Sequence, residues 1–556
     1  MKLRKHFFMQ VCTAIISVSM LLAGCNAKSG SSENTAQNTS NSSATSTTQA
    51  MEKDPYALPI SEPGTVTLKY IVAENSSGLP SRSSELPVIK EIERLTGINL
   101  EVEAIPESQY KTVISTRLAA NSDLPDILRM DGSHYEYGKQ GILVSLTPFI
   151  EKYDTYLEEY FKYEPESKKY FISPDGNYYG WYNVKSGTDL ADPYGWIIRK
   201  DWLDNLKLES PKTVDDWYQV MKAFKEQDPN KNGKSDEIPW CNPELAGQTV
   251  WGHAWGLMML RSEGWSINEN GKVELDWIKP EAKEMFTWLN KCFSEGLIDP
   301  EFLSMDHKAR FSQNVVGGYS RFANTTESRA VLARKGGDPN AVYVGLPVPM
   351  GPNGKQGFMD SYGPADNGSG VAITNKCKNP DVAFRFCDWL WGSEQGNRLM
   401  WFGIEGEHYK VNAKGEPEYT DYILKNPDGY NPTTALQVIG GHEFFSSIRS
   451  IEGTWGAWAK MQLASYNENT RNSALIMAPY IGQKFPVLVS EQEEESELSL
   501  YWNDIKTYYE EQAVGFIVGD STLDQWDTYV NTIKKIGLDK VIAIKQKQYD
   551  RMMNQK

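Results

Sequence analysis

TVTLKYIVA at residues 65–73 is followed by ELPVIKEIERLT at 85–96 and by INLEVEA at 98–104. In the first and last of these segments apolar residues alternate along the chain, the period of two that is typical of β-strands. In the middle segment apolar residues recur every three or four positions from Leu86 to Leu95, as on one face of a helix, and a glycine follows as a stop. A strand, a helix and a strand in this order predict two parallel strands joined by a right-handed crossover.

The same alternation continues beyond this stretch. A helix over 110–120 and the start of a strand at 125–128 predict an α/β fold whose largely parallel sheet is covered on both faces. After residue 200 the pattern becomes mostly helical. Helix-rich segments are predicted at 201–227, 280–295, 380–399, 453–466, 523–536 and 538–553.

The first 24 residues have the features of a secretory signal: basic residues at positions 2, 4 and 5, then an apolar run over 7–23. The run ends in Leu22-Ala23-Gly24-Cys25, which resembles the bacterial lipobox and implies a lipid on Cys25 after cleavage before it. The alternative is an ordinary signal with an incidental cysteine. Residues 25–57 are rich in small polar side chains and predict a flexible tether, so that the protein would be anchored on the extracytoplasmic face of the cell membrane.

Composition restricts the partners. Removing the signal's three basic residues takes the formal net charge from -16 to -19, which argues against nucleic acid as a partner. Aromatic residues form 12% of the chain, and their flat apolar faces suit sugar rings. The cysteines at 241, 292, 377 and 387 match no zinc or CxxC spacing; disulfides remain open, and we expect buried free thiols.

Several local patterns carry a resemblance to a known family. They are WIIRKDWL at 196–203 with TVDDWY at 213–218, AFK at 223–225, GIEGEHY at 403–409, WDTYV at 526–530 and GLD at 537–539. Together they resemble the family 1 extracellular solute-binding proteins of ABC sugar importers, in the LipO-type lipoprotein branch that includes alginate oligosaccharide-binding proteins. The resemblance implies a monomeric binding protein, not an enzyme, that captures an oligosaccharide and delivers it to a membrane permease.

The family fold implied is α/β, two-lobed and periplasmic-binding-protein-like (type II), with a hinge between the lobes and ligand trapped as they close. We expect the first lobe to comprise 58–185 with about 372–440. The helix-rich second lobe would comprise 186–371 with about 441–556.

DPNKNGKSDE at 228–237 has the spacing of the front half of an EF-hand calcium loop, with Gly233 at the sharp turn. Side-chain oxygens would come from Asp228, Asn230, Asn232, Asp236 and Glu237, and a carbonyl from Lys234. The bidentate Glu of an EF-hand is replaced by Pro239, so Glu237 must serve instead. The alginate-binding relatives share this shortened pattern, which implies a structural Ca²⁺; the alternative is a solvated turn without metal.

Ligand contacts are predicted for aromatic residues outside clear helical stripes, together with two polar residues. They are Trp181, Tyr182, Trp251, Trp255, Tyr319, Arg321, Tyr362, Trp401, Glu405, Trp455 and Trp458. Each aromatic residue has a place in the core as its alternative, and Trp251 and Trp255, four apart, fit both roles equally. Arg321 would grip a carboxylate or a hydroxyl pair, and Glu405 would accept from hydroxyls; the equal alternative for both is a surface salt bridge. An acidic oligosaccharide would need more than one basic contact, and the net charge does not favour it.

Two other functions remain open from the sequence. A secreted polysaccharide-acting enzyme needs only two carboxylates that meet in space, although the chain has no Gly-x-Ser-x-Gly or His-Glu-x-x-His motif. A peptide receptor or sensor on the same fold would also use an aromatic cleft.

Overall fold

The computed structural model describes residues 54–74, 79–130, 132–183, 192–362, 366–430, 432–441 and 454–555. The side chains of Asn183, of 361–369 and of 454–459 are outside this description. The predicted signal, Cys25 and the tether up to residue 53 also lie outside the described residues. No helix of the described ranges combines the length and apolar character needed to cross a membrane.

The described chain forms fifteen strands. They are β1 Val66–Ala73, β2 Ile98–Ile105, β3 Ile127–Met130, β4 Trp181–Asn183, β5 Tyr194–Arg199, β6 Ile238–Trp240, β7 Trp265–Ile267, β8 Val273–Leu275, β9 Val316–Phe322, β10 Tyr343–Leu346, β11 Met359–Tyr362, β12 Asp366–Ile373, β13 Tyr409–Val411, β14 Pro417–Tyr419 and β15 Ile481–Gln483.

The described α-helices number twenty-one, and the structure also has short 3₁₀ turns. The helices are α1 Pro87–Thr96, α2 Glu107–Ala120, α3 His134–Lys139, α4 Thr147–Lys152, α5 Tyr156–Tyr163, α6 Lys200–Leu206, α7 Val214–Glu226, α8 Glu244–Thr249, α9 Pro280–Ser294, α10 His307–Ser312, α11 Thr325–Lys335, α12 Pro380–Gly392, α13 Glu394–Phe402, α14 Asp421–Leu424, α15 Pro432–Val438, α16 Thr454–Ser465, α17 Glu468–Met477, α18 Gln492–Ser499, α19 Trp502–Val518, α20 Trp526–Ile536 and α21 Leu538–Asn554. The 3₁₀ turns are Pro165–Tyr170, Val250–Trp255, Asp276–Ile278, Ala478–Tyr480 and Leu523–Gln525.

The first sheet has the order β2-β1-β3-β12-β4. Strands β1, β2 and β3 are parallel, as the sequence predicts, while β12 is antiparallel to both β3 and β4. Alternation puts Leu68 and Tyr70 of β1 into one core and Ile71 into a second core on the opposite face of the sheet. The sheet is therefore covered on both sides.

The second sheet has the order β10-β5-β9-β6 and is mixed. Strand β5 is antiparallel to both neighbours, and β6 is parallel to β9. Along β5, Trp196 and Ile198 enter a large helical core, whereas Ile197 faces a smaller one under α10 and α11. Each of the two sheets thus has its own cores, so the chain forms two lobes.

The C-terminal helix α21 contacts both lobes. Ile544 belongs to the large core of the second lobe, Met552 to the core of the first lobe, and Tyr549 packs against both. In addition, α16 packs on α13 of the first lobe and α17 packs on β10 of the second.

Two predicted helical segments are each divided in the structure. The segment 380–399 breaks at Ser393, whose extended backbone ends α12 and whose side chain accepts from the backbone N–H of Gly396 to begin α13. The segment 201–227 breaks because Lys207 takes a left-handed conformation after α6, and Thr213 and Asp216 then form a capping box at the start of α7. Local capping, which apolar periodicity does not reveal, sets these boundaries.

Candidate functional site

In each of the two sheets, the carboxyl ends of most strands lie at the edge from which the chain crosses to the other sheet. In the first sheet β1, β3 and β4 end at one edge, where antiparallel β12 begins. In the second sheet β6, β9 and β10 end at one edge, where β5 begins. Residues 184–193 join β4 to β5, and the chain from β10 to β12 passes through β11, so these two crossings connect the same two edges. In open α/β sheets ligands bind outside the carboxyl ends of strands, so the space between the edges is the candidate site.

Strand β11 is fixed to the second lobe at the second crossing. It pairs in parallel with β15, and its Asp360 is fully buried. Asp360 accepts from the backbone N–H groups of Arg261 and Ser262 at 2.9 and 2.6 Å, and from the ring of His253. A crossing strand held in this way gives the second lobe a rigid attachment to the connection that leads into β12.

Two of the predicted contact residues lie at the carboxyl edges, and a third ends the crossing strand β11. Tyr182 is the second-last residue of β4, Arg321 the second-last of β9, and Tyr362 the last of β11. The ring of Tyr182 is nonetheless buried in the first-lobe core, and the side chain of Tyr362 is outside the description. Arg321 is exposed, which leaves its guanidinium accessible at the edge.

Trp251 and Trp255 lie in the core of the second lobe. Trp251 is fully buried, and its ring centroid lies 4.7 Å from that of Trp240 and 4.6 Å from that of Trp288. Trp196 and Trp217 complete this tryptophan cluster, with centroids at 5.9 and 5.4 Å from that of Trp251. The structure favours the core alternative for Trp251 and for Trp255, which is also buried.

The remaining aromatic candidates are also core residues or lie outside the description. Trp181 and Trp401 are buried in the first-lobe core, and Tyr319 is buried beneath α10 and α11. Trp455 and Trp458 belong to α16, but their side chains are not described. Burial therefore leaves few aromatic candidates for ligand contact among the described side chains, because most of the rings fill the two lobes.

Glu405 lies at a different edge from Arg321. It lines a cavity of about 610 Å³ together with Tyr409, Arg398 and Leu95 of α1. Because α1 connects two parallel strands, its C-terminal end lies at the amino edge of the first sheet, away from the candidate site. The Tyr409 hydroxyl donates to Glu405 at 3.4 Å.

The loop at 228–237 connects α7 to β6 and is folded around its own side-chain oxygens. Asp228 accepts from the backbone N–H groups of Asn232 and Gly233, each at 3.0 Å, and Asn232 accepts from that of Lys234 at 2.7 Å. Asp236 accepts from the side-chain amide of Asn232 at 3.0 Å. Gly233 has φ of +75°, a conformation that glycine adopts without strain. The turn predicted from the spacing is thus formed.

Glu237 is the most unusual residue of this loop. It is 1% exposed, and within the described chain neither carboxylate oxygen has a hydrogen-bond partner. Burial, with Asp236 and Asp228 nearby, raises the pKa of Glu237. A buried carboxylate without a partner is costly, and a hard cation would satisfy it.

The donor chemistry of the loop fits Ca²⁺, which takes only oxygen ligands. Across the described ranges no three Asp, Glu, His or Cys side chains converge closely enough by themselves to hold a metal. A calcium ion here would therefore need the amide oxygens of Asn230 and Asn232 and the carbonyl of Lys234 beside the carboxylates of the loop.

The predicted contact residue Arg321 belongs to a basic cluster at the second-lobe edge, whose other two members the sequence did not predict. It consists of Arg321, His307 and Arg329, and Arg329 Nη2 lies 3.1 Å from His307 Nε2. Burial, with the positive charges of Arg329 and Arg321, lowers the pKa of His307. The three residues come from β9, α10 and α11, so only the packing of α10 on α11 brings them together.

All four predicted thiols are buried free cysteines, as expected from their spacing. They are Cys241, Cys292, Cys377 and Cys387. Burial raises the pKa of Cys377 to about 12 and raises those of the other three further. None of these thiols forms a reactive centre.

Comparison with known proteins agrees with this arrangement. The chain is 24% identical over 511 residues to the fructooligosaccharide ABC transporter substrate-binding protein FusA of Streptococcus pneumoniae, covering 87% of this chain and 90% of that protein. It is 29% identical over 360 residues to lipoprotein LipO of Bacillus subtilis, covering 62% of this chain and 68% of LipO.

The fold matches that of a solved binding protein. A crystal structure of the alginate-binding protein AlgQ2 without calcium ion superposes with a TM-score of 0.68 at 26% identity, covering 88% of this chain and 98% of that one. This confirms the two-lobed α/β fold predicted from the sequence. Residues 77–397 match the family described as bacterial extracellular solute-binding protein. Two lobes connected at the carboxyl edges of their sheets are what such a protein needs, and the chain belongs to the bacterial extracellular solute-binding protein family.

Proposed function

We propose that this protein is the substrate-binding lipoprotein of an ABC importer, which captures an oligosaccharide between its lobes and delivers it to a membrane permease. The observation that carries the proposal is that two crossings, from β4 to β5 and from β10 to β12, join the carboxyl edges of both sheets. Of the relatives named above, FusA is a fructooligosaccharide ABC transporter substrate-binding protein and AlgQ2 is an alginate-binding protein. The lobes close on the ligand as a monomer, and the permease recognises the closed form.

The lobe assignment follows the sheets. The first lobe comprises 58–185 with about 372–440, and the second comprises 186–371 with about 441–556. Strand β12 begins at Asp366, and α16, Thr454–Ser465, packs on α13 of the first lobe, so both elements belong to the first lobe although they extend beyond the expected 372–440 segment at its two ends.

Anchoring is proposed through a lipid on Cys25. The support is the lipobox-like sequence before this cysteine and the similarity to a lipoprotein of Bacillus subtilis. A diacylglyceryl group with two acyl chains holds a protein stably at a membrane, whereas a single chain binds reversibly. The tether would then keep the lobes within reach of the permease on the extracytoplasmic face.

The 228–237 loop is proposed to bind a structural Ca²⁺ through Asp228, Asn230, Asn232, Lys234, Asp236 and Glu237. The buried, unpartnered carboxylate of Glu237 supports this proposal. The site would pin the end of α7 to the start of β6. Because β6 ends at the candidate site, the ion would stabilise one wall of that site without contacting the ligand.

A thermal-shift panel tests the main proposal. The purified protein is heated with neutral oligosaccharides, acidic oligosaccharides and short peptides, each well above the expected Kd. A ligand at one hundred times its Kd stabilises the folded state by about 2.7 kcal/mol, a readily measured rise in Tm. We expect a rise with at least one saccharide and with no peptide. A response to peptides alone would contradict the proposal, as would release of shorter saccharides seen by chromatography.

A further inference from the structure

The basic cluster of Arg321, His307 and Arg329 lies at the carboxyl edge of the second sheet. Arg321 pairs with Gly195 across β9 and β5, two residues before β9 gives way to the loop that leads into α11. Asn324, in that loop, donates to Asp192 at 2.7 and 2.9 Å, and Asp192 lies at the end of the first crossing between the lobes. The cluster is therefore adjacent to the space between the lobes.

The cluster has no acidic partner. Within the described chain, neither Arg321 nor Arg329 forms an ion pair, and the polar contact of Arg329 is the ring nitrogen of His307. Arg329 is half-buried, with its guanidinium 5.2 Å from the ring of Phe311. This is notable in a chain with 73 acidic and 57 basic residues, where most other arginines of the second lobe, such as Arg199, Arg310 and Arg334, do pair with carboxylates.

The electrostatics of the cluster favour an anion. Burial, with the charge of Arg321 nearby, lowers the pKa of Arg329, so the guanidinium is held in a position that disfavours its charge. Arginine stays protonated in proteins, so this site retains an unbalanced positive charge. Two guanidinium groups with free donors match the geometry of a carboxylate, which accepts paired hydrogen bonds from such groups.

We propose that the basic cluster binds a carboxylate of the ligand, so that this protein takes an acidic oligosaccharide built from uronate residues. This inference rests on the proposed function and adds the chemical class of the sugar. The overall negative charge of the protein does not oppose it, because the charges of the outer surface are screened beyond about 10 Å in ordinary salt.

Isothermal titration calorimetry tests the inference with matched probes. The probes are a trigalacturonate, its fully methyl-esterified form, the neutral trisaccharide kestose, and citrate as a carboxylate without sugar. We expect the trigalacturonate to bind more tightly than its ester, and its affinity to fall as salt is raised. Tighter or equal binding of the ester would overturn the inference, and binding of citrate in place of the saccharides would overturn its sugar component.

Variants locate the contact. Arg321→Gln removes an exposed side chain and leaves the core intact, and it is expected to weaken trigalacturonate binding by about tenfold to one hundredfold while the ester is unaffected. Arg329→Gln should act in the same direction, with circular dichroism to confirm folding. Arg94→Gln, on the outer helix α1, is the matched control and should leave both affinities unchanged.

The outcomes also separate this inference from the proposed function. If kestose or the ester binds the wild-type protein and trigalacturonate does not, the inference fails and the proposed function stands. If Arg321→Gln binds trigalacturonate as the wild type does, the cluster is not the contact and the inference fails. If no saccharide of either charge binds, the proposed function fails and the inference fails with it.

Discussion

His253 Nε2 lies 2.6 Å from Asp360 Oδ1, and both side chains are fully buried where a strand crosses between the lobes. The other ring nitrogen of His253 donates to the carbonyl of Val250 at 2.8 Å. The pair therefore joins β11 to the Val250–Trp255 turn of the second lobe. Burial opposes ionisation of Asp360, yet the charge and hydrogen bond of His253 lower the pKa of Asp360 overall.

Asp360→Asn is expected to lower the free energy of unfolding by about 3–5 kcal/mol, because it breaks a buried pair and turns an amide group toward backbone donors. Urea denaturation followed by circular dichroism measures this loss. The control is Asp204→Asn, which removes an exposed ion pair with Lys200 and should cost about 1 kcal/mol or less. Equal effects of the two variants would contradict the role given to the His253–Asp360 pair.

Calcium is expected to raise Tm, and EGTA to reverse the rise. Glu237→Gln should abolish the response, whereas Glu226→Gln, an exposed residue at the end of α7, should keep it. Elemental analysis after dialysis should find one calcium ion per wild-type chain. A calcium-induced rise in Tm that is retained in Glu237→Gln would exclude the 228–237 loop as the calcium site.

The calcium response should also depend on pH. The raised pKa of Glu237 means that its protonated form is favoured in the metal-free folded state. Without calcium, this residue stabilises the protein below its unfolded pKa of about 4.3, and the contribution is lost as pH rises through the folded pKa. Calcium needs the ionised form, so its affinity should fall as pH is lowered through that folded pKa. Titration calorimetry at several pH values measures this change.

Glu494 gives a pH effect of opposite sign. Burial opposes ionisation of Glu494. Hydrogen bonds from Arg551 at 2.8 and 2.9 Å, with others from the Glu491 backbone and Lys547, nonetheless lower the pKa of Glu494 to about 2. Its stabilisation is present above the unfolded pKa of about 4.3 and is lost as pH falls toward 2. The Tm difference between wild type and Glu494→Gln should therefore shrink between pH 5 and pH 2.

A neighbouring exposed residue is the control for this effect. Glu493→Gln should show no such convergence with the wild type, because Glu493 is exposed on the same helix. A Tm difference for Glu494→Gln that is constant across the range would show that the ion pair with Arg551 does not stabilise α21 against α18.

Trp251→Ala is expected to lower the free energy of unfolding by about 3–5 kcal/mol, because it leaves a cavity among four indole rings. Ligand affinity of the folded variant should remain that of the wild type. Denaturation and calorimetry on the same preparation measure the two quantities. A large loss of ligand affinity with little loss of stability would indicate that Trp251 contacts the ligand.

Cys25→Ser is expected to release the protein from the membrane without altering its affinity. Immunoblots of membrane and medium fractions measure the release, and calorimetry on the released protein measures the affinity. If the variant stays with the membrane, the anchor lies elsewhere.

Apolar periodicity was sufficient for the start of the fold. Strands β1 and β2 with α1 between them follow directly from the spacing at residues 65–104, and a parallel pairing was confirmed. Strand β12 could not be predicted as part of this sheet, because it pairs with β3 from more than 230 residues away. Pairing over such a distance depends on where the chain returns to the first sheet after the second lobe. Local sequence does not contain that information.

In the candidate site, too, local features could be predicted from the sequence, whereas features that depend on packing could not. The calcium loop is local, so its spacing predicted its turn. Trp251 could not be assigned from the sequence, because helical spacing of tryptophans is the same for a core stripe and for a binding face. Arg321 was predicted as a ligand contact, but its neighbours His307 and Arg329 could not be predicted, because the three residues come together only through packing.

The tryptophan cluster around Trp251 also affects how binding is best observed. Trp251 contacts four other indole rings of the second lobe. Four of these five rings are fully buried and that of Trp288 is partly buried, and together they are five of the 17 tryptophans of the chain. Their excitation energy would pass among close neighbours that do not meet the ligand. The intrinsic emission of this protein should therefore report melting of the second lobe far better than occupancy of the site, and a dye attached near the carboxyl edges would make the more sensitive optical probe.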